Sequence, residues 1–94
     1  MRTIWKYKLD MAVVTEVEMP EGANVLQFQN QGGAMTFWAA VDTEAATEKR
    51  TFRVVGTGQP IPDVTGFEMR YMGTVQCGIY VWHIFEEATG ENDR

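Results

Sequence analysis

The chain has 94 residues, of which 45% are hydrophobic, and its 13 acidic and 8 basic side chains give a net charge of −5. This length suits one domain, and the negative charge disfavours DNA or RNA polymers because the basic residues lie scattered along the sequence. The single cysteine, Cys77, excludes a disulfide within one chain and argues against a structural zinc site. The N-terminal residues lack the apolar segment of a secretory signal, and no apolar run reaches the ~18 residues of a membrane span, so we expect a cytoplasmic location.

Apolar and polar residues alternate with a period of two along most of the chain, which is typical of half-buried strands. The predicted strands are residues 5–9, 13–19, 24–31, 34–42, 51–55, 67–72 and 76–86. Glycine and proline indicate turns at residues 20–23, 30–33 and 56–62, and residues 73–75 are the predicted link between the last two strands. Residues 42–50 fit either a short helical turn or an exposed loop.

This pattern predicts a mainly β fold with six or seven short antiparallel strands, arranged as a small sandwich or a partly open barrel. At most one short helical turn is expected, near residues 43–48. We assign residues 1–87 to a single β-rich domain and residues 88–94, which lack core-forming side chains, to a mobile C-terminal tail. The last strand is apolar on both faces, so we expect it at the centre of a sheet or at an interface.

Few residues could carry catalysis. The chain has no serine, and its one Cys/His pair, Cys77 and His83, would stand about 20 Å apart if both lay on one extended strand. Cys77 is interpreted as a small buried hydrophobe. His83 is interpreted as a half-buried histidine with one ring nitrogen hydrogen-bonded or, alternatively, as a ligand-binding donor on a pocket wall. We therefore predict no enzymatic activity, no catalytic residue, no metal site and no cofactor.

A loop rich in glycine and proline, residues 56–62, directly follows a predicted strand. It lacks the third glycine of a dinucleotide-binding fingerprint and the Gly-Lys-Thr of a P-loop, and its prolines forbid a following helix. One interpretation is a rigid turn. The other is a ligand-binding loop whose backbone N–H groups reach a ligand, while Arg53 supplies positive charge.

Trp38 points away from the main apolar face of its predicted strand, which makes it a candidate for stacking on a flat ligand or a partner subunit. Trp5 and Trp82 are further stacking candidates, and for all three the alternative is a place in the core. The predicted ligand-binding residues are Arg53, Gly56, Thr57, Gly58, Gln59, Trp38, Trp82 and His83.

Six short motifs follow one another between about residue 3 and residue 86. They are IWKY (4–7), MPEGA (19–23), FWAAVD (37–42), FRVVGTGQPIP (52–62), GTVQ (73–76) and VWHIFE (81–86). In this order they resemble a family of small bacteriophage proteins of unknown function. Position 59 is often histidine in that family, and Gln59 here weakens any acid–base role for the loop. The resemblance implies a phage protein that acts in the cytoplasm of a bacterial host.

Three kinds of function stay open. The first is small-molecule binding, in the form of a sponge that sequesters a nucleotide immune signal at the interface of a homo-oligomer. The second is inhibition of a host defence factor through an acidic surface, such as Glu16 and Glu18, or through an exposed strand edge. The third is a minor role in phage structure or assembly. We expect no membrane partner, and an enzyme such as a phosphodiester hydrolase ranks last.

Overall fold

The computed structural model describes residues 1–10 and 13–89, and every regular element within them is a β-strand. The strands are β1 (Arg2–Leu9), β2 (Val14–Pro20), β3 (Asn24–Gln31), β4 (Ala34–Asp42), β5 (Thr47–Gly56), β6 (Phe67–Cys77) and β7 (Tyr80–Thr89). They form a three-stranded sheet in the order β1-β4-β3 and a four-stranded sheet in the order β2-β5-β7-β6, with antiparallel pairing throughout. The predicted mainly β fold is confirmed, and the open sandwich is the arrangement that forms.

The core lies between the two sheets and is built from the inward-facing residues of the alternating strands. The Phe37 ring lies at its centre, with ring centroids 5.1 Å from Phe28 and 5.4 Å from Phe52. Gly73 allows β6 to approach β3, because a Cβ at that position would lie 3.0 Å from the Phe28 ring. Burying each large apolar side chain contributes roughly 1.5–3 kcal/mol. Other fully buried side chains are Met19, Met35, Val41 and Ile84.

Two predicted strand boundaries are wrong. The link predicted at residues 73–75 lies inside β6, and the hairpin turn comes at residues 78–79, where Gly78 has a φ of 61°. Gly73 suggested a break, but the sheet accommodates it through a register shift between Tyr71 and Gly73. β5 begins at Thr47, four residues earlier than predicted, because its first residues pair with β2.

The loop interpretation holds for the segment between β4 and β5. The backbone N–H of Ala45 donates to the Asp42 carbonyl at 3.1 Å, and the N–H of Glu44 donates to the Asp42 carboxylate at 3.1 Å. This second bond is the main reason that the pKa of Asp42 lies below its ordinary value. β7 lies between β5 and β6, as its two apolar faces predict, and continues to Thr89. Residues 90–94 of the predicted tail lie outside the described residues.

An ion pair between half-buried Arg50 and buried Glu86 lies beside the turn between β2 and β3. Arg50 donates to the Glu86 carboxylate through Nε at 2.5 Å and through Nη2 at 2.8 Å, and its Nη1 donates to the Ala23 carbonyl at 2.5 Å. The hydrogen bond to Glu86 raises the pKa of Arg50 above its ordinary value. This pair joins β5 to β7 and to the chain entering β3, so three segments depend on it.

Candidate functional site

The loop after β5 is ordered by its own side chain and backbone. The Gly56 N–H donates to Oε1 of Gln59 at 2.8 Å, and the Gln59 N–H donates to the Gly56 carbonyl at 3.0 Å. A Cβ on Gly56 would lie 3.1 Å from Oε1 of Gln59 and 3.2 Å from Cζ3 of Trp82. Glycine at position 56 therefore lets the Gln59 amide and the Trp82 ring close on the backbone from two sides.

His83 is clamped between two threonine hydroxyls. It lies on β7 opposite Val55 of β5 and Thr74 of β6, on the face of the sheet that points away from the core. Its Nε2 is 2.8 Å from Oγ1 of Thr57, and its Nδ1 is 3.0 Å from Oγ1 of Thr74. The Tyr71 hydroxyl lies 2.5 Å from the same Thr74 oxygen. Since a hydroxyl can donate or accept, this chain fixes the ring orientation in either tautomer.

The outward face of the four-stranded sheet and the loop enclose a groove of about 270 Å³, which we call the His83 groove. Its walls combine aromatic and aliphatic side chains with the hydroxyl of Thr57. The Tyr71 and Phe85 rings meet edge to face there, with centroids 5.7 Å apart. The groove is lined by Val55, Gly56, Thr57, Gly58, Gln59, Ile61, Tyr71, His83 and Phe85.

A second groove, of about 440 Å³, lies on the other side of the same loop, and we call it the Trp82 groove. Tyr80 and Trp82 stack within it, with ring centroids 5.8 Å apart and an angle of 25° between the planes. Its lining consists of Gly56, Thr57, Gln59, Ile79, Tyr80, Val81 and Trp82. The two grooves share three loop residues, so the loop forms a ridge between two concave surfaces.

The structure brings together six of the eight residues that the sequence assigned to a ligand site. These are Gly56, Thr57, Gly58, Gln59, Trp82 and His83. Arg53 is not among them, because it lines neither groove and its guanidinium is hydrogen-bonded to the Glu87 carboxylate. Trp38 belongs to the three-stranded sheet, where it is paired with Lys6 and Gln27. The predicted combination of Trp38 stacking and an Arg53 contact to one ligand therefore does not form within one chain.

Several residues that line the two grooves or contact His83 are absent from the predicted ligand-binding set. Phe85 could have been predicted from the sequence, because it shares a predicted strand face with His83. The positions of Tyr71 and Thr74 could not be predicted, because the register shift in β6 decides which of its residues face His83. The other missed groove residues are Val55, Ile61, Ile79, Tyr80 and Val81.

Cys77 and His83 are separated by the fold. The assumption that both occupy one strand is wrong, since Cys77 ends β6 and His83 lies within β7. Cys77 packs against the core, whereas His83 lies on the outward face beside Thr74. The thiol and the imidazole therefore lie on opposite faces of the sheet, and the interpretation of Cys77 as a small core residue fits its place.

A third cavity, of about 570 Å³, lies where the pairing between β5 and β7 ends at Phe52 and Glu86. Three basic and four acidic side chains line it, and Arg50 and Glu86 are bonded to each other there. The basic and acidic side chains that line this cavity thus largely neutralise one another. Within residues 1–10 and 13–89, no group of three or more His, Cys, Asp or Glu side chains is placed to hold a metal ion.

The sequence matches, over residues 1–94, the family described as a domain of unknown function (DUF7352). No curated protein matches the chain, and no solved structure matches it. In the described part of the chain, no helix has the length and apolar character needed to cross a membrane. The resemblance to a family of unknown function is confirmed in this form: the chain belongs to the DUF7352 family.

Proposed function

We propose that this protein binds a small, flat ligand in the His83 groove and does not transform it. The observation that carries the proposal is the His83 clamp, in which two threonine hydroxyls hold an imidazole in one orientation within a groove. Ligand pockets are concave and mostly apolar, with a few well-placed polar groups. The His83 groove has this composition, since Val55, Ile61 and Phe85 accompany the hydroxyls.

The size and charge of the groove favour the base of a nucleotide over its phosphates. The volume of about 270 Å³ lies just below the range typical of ligand pockets, roughly 300–1,000 Å³, which suits a single ring system. None of the residues that line the groove is a lysine or an arginine. The nucleotide-sponge hypothesis therefore takes a revised form, in which the base enters the His83 groove and the phosphates extend beyond it. Arg53 has no part in this form, because Glu87 already pairs with it.

Exposed apolar side chains around the two grooves support a homo-oligomer as part of the proposal. Ile79 is 88% exposed and Tyr80 59% exposed at the tip of the β6–β7 hairpin, and Ile61 on the loop is 56% exposed. Clusters of this kind often mark surfaces that a partner covers. A second copy that covers the rim would deepen both grooves and supply further contacts to the phosphates.

The cellular setting is part of the same proposal. The motif resemblance to small bacteriophage proteins supports a phage protein that acts in the host cytoplasm by removing a nucleotide signal used in antiviral defence. This setting explains why tight binding without turnover would suffice, because a sequestered signal no longer reaches its receptor.

A protein-binding inhibitor is the second candidate, and one observation favours it. β2 is an edge strand of its sheet, and Glu16 and Glu18 are exposed on it. An open strand edge with flanking carboxylates can take up a strand or a basic surface of a partner. Changing both residues to Lys should then abolish capture of the host partner from infected cells, with nucleotide binding unaffected.

Native mass spectrometry with a panel of cyclic and ADP-ribose-type nucleotides and their nucleosides tests the main proposal. We expect an oligomer that carries an intact ligand in a fixed ratio. The Thr57→Val variant should bind about tenfold more weakly, since it removes one hydroxyl from the clamp. Thr15→Val serves as the matched control, because Thr15 lies on β2 away from both grooves.

Three results would overturn the proposal. A wild-type protein that stays ligand-free across the panel would remove the small-molecule function. Release of a chemically altered nucleotide would show turnover and so contradict binding without reaction. If Thr57→Val and Thr15→Val weaken nucleotide binding equally, the ligand does not bind in the His83 groove.

A further inference from the structure

The fold separates charges that the sequence shows as mixed. The three-stranded sheet carries three basic residues, all on β1, and one acidic residue, Asp42 on β4, while β3 carries no charge. The four-stranded sheet carries four basic and six acidic residues. A chain with a net charge of −5 therefore has one sheet with a positive balance.

The basic residues of β1 share the outward face of that sheet. Tyr7 and Leu9 point toward the core, so the residues that alternate with them, Lys6 and Lys8, point away from it and are exposed. Arg2 falls on the same face, but its register partner Asp42 offsets its charge. Of the three basic residues on this sheet, Lys6 and Lys8 are thus the two that have no carboxylate opposite them in the register.

Trp38 lies at the centre of this face, which we call the Trp38 face. In the register, Trp38 stands between Lys6 on β1 and Gln27 on β3. The next pair of positions places Thr36 between Lys8 and Gln29. One half-buried indole therefore has exposed ammonium groups along one side and exposed amide groups along the other.

We propose that the Trp38 face binds single-stranded nucleic acid. The phosphates would follow Lys6 and Lys8, a base would stack on Trp38, and the amides of Gln27 and Gln29 would bond to base edges. Proteins that bind single strands combine cations that follow the backbone with aromatic rings on which bases stack. A neutral oligosaccharide could stack on the indole, but it would make no use of the two lysines.

The negative net charge does not prevent this binding. The expectation against nucleic acid rested on basic residues that are scattered in the sequence, and the fold places Lys6, Lys8 and Trp38 together. The acidic residues of the four-stranded sheet lie across the sandwich, and packed sheets are about 10 Å apart. This separation is about one Debye length at 0.1 M ionic strength, so salt weakens their repulsion at the Trp38 face.

Fluorescence anisotropy of a labelled oligothymidine, measured from low to moderate salt, tests the proposal. The double variant Lys6→Glu/Lys8→Glu should weaken binding about tenfold or more, and the salt slope should fall by about 1.4, as expected for two lost phosphate contacts. Trp38→Ala should weaken binding by about tenfold with an unchanged salt slope, and Trp38→Phe should restore most of the loss.

Lys49→Glu is the matched control, because Lys49 is an exposed lysine, 66% accessible, on the four-stranded sheet. It makes half of the double variant's charge change, away from the Trp38 face, and thermal unfolding of each variant confirms that it is folded. If Lys49→Glu lowers the logarithm of the affinity by half as much as the double variant does, or by more, the loss is a general charge effect and the proposal is overturned. Absence of oligothymidine binding, or salt-independent binding of a neutral oligosaccharide instead, would overturn it as well.

Discussion

The two ends of β5 carry cavities of opposite character. At its start, a polar cavity of about 570 Å³ is lined by charged residues, and Arg50 and Glu86 bond to each other within it. At its end, the His83 groove measures about 270 Å³ and combines apolar walls with hydroxyl groups around one imidazole. The larger cavity is the weaker candidate for a site, because its charged groups already have partners. The polar groups that hold the fold and those of the proposed ligand site are thus found at different ends of one strand.

The largest expected effect is on stability, at the charged end. Glu86→Ala leaves the Arg50 guanidinium, only 15% exposed, without its carboxylate, and should lower the free energy of unfolding by about 3–5 kcal/mol. Urea unfolding followed by tryptophan fluorescence measures this. Glu16→Ala is the control, because its 4.0 Å pair with Lys49 is exposed and should contribute less than about 1 kcal/mol. Similar losses in both variants would show that Glu86 does not stabilise the fold through burial of the pair.

An intermediate effect is expected at the loop end. Gly56→Ala forces a methyl group against Gln59 and Trp82, and should cost about 1–3 kcal/mol and displace the ridge between the two grooves. Adding Gln59→Ala should recover part of that cost, because one of the two close contacts is then removed. Urea unfolding of the single and double variants forms the cycle that measures this coupling. Simple addition of the two effects would mean that the Gln59 contact is not the cause.

The smallest expected effect on stability is at Tyr7, whose hydroxyl lacks a hydrogen-bond partner among the described residues. The Tyr7 hydroxyl is buried and has no hydrogen-bond partner among the described residues, so Tyr7→Phe should leave stability unchanged or raise it by up to about 1 kcal/mol. Burial also raises the pKa of Tyr7 above 10.0. A raised pKa means that its contribution to stability is complete below pH 10.0 and is lost as the pH rises through the folded-state value.

Unfolding free energies of wild type and Tyr7→Phe between pH 8 and 11 measure this pH effect. The wild type should lose stability relative to the variant at the alkaline end of the range. Parallel curves would show that the Tyr7 phenol has the same pKa in the folded and unfolded chains.

The alternation of apolar and polar residues was sufficient to predict the strand content of the fold. Phe37 and Phe52 lie in the core because their strands bury every second residue, and this period is visible in the sequence. The Gly- and Pro-rich segment was predicted to be a turn, and residues 57–66 do lie outside the strands, between β5 and β6. The alternation cannot predict which residues of neighbouring strands lie opposite each other. The His83 clamp depends on this register, since Thr57 is 26 residues from His83 in the sequence and Thr74 is 9 residues from it.

The ion pairs could not be predicted from the sequence either. Arg53 was expected to bind a ligand, but its carboxylate partner lies 34 residues away and is brought to it only by the pairing of β5 with β7. The same holds for Arg50 and Glu86, which are 36 residues apart. The separation of charge between the two sheets also follows from sheet order, which no local pattern in the sequence predicts.

The chain of hydroxyls around His83 can run in two directions, with opposite consequences for a ligand. With the proton on Nε2, the imidazole donates to Thr57, and the Thr57 proton is then available to a ligand acceptor. With the proton on Nδ1, Thr57 donates to the ring and offers a ligand only lone pairs, while Thr74 and Tyr71 reverse their roles. A single tautomer shift therefore converts the Thr57 edge of the groove from donor to acceptor, which would let one pocket hold rings with opposite hydrogen-bonding edges.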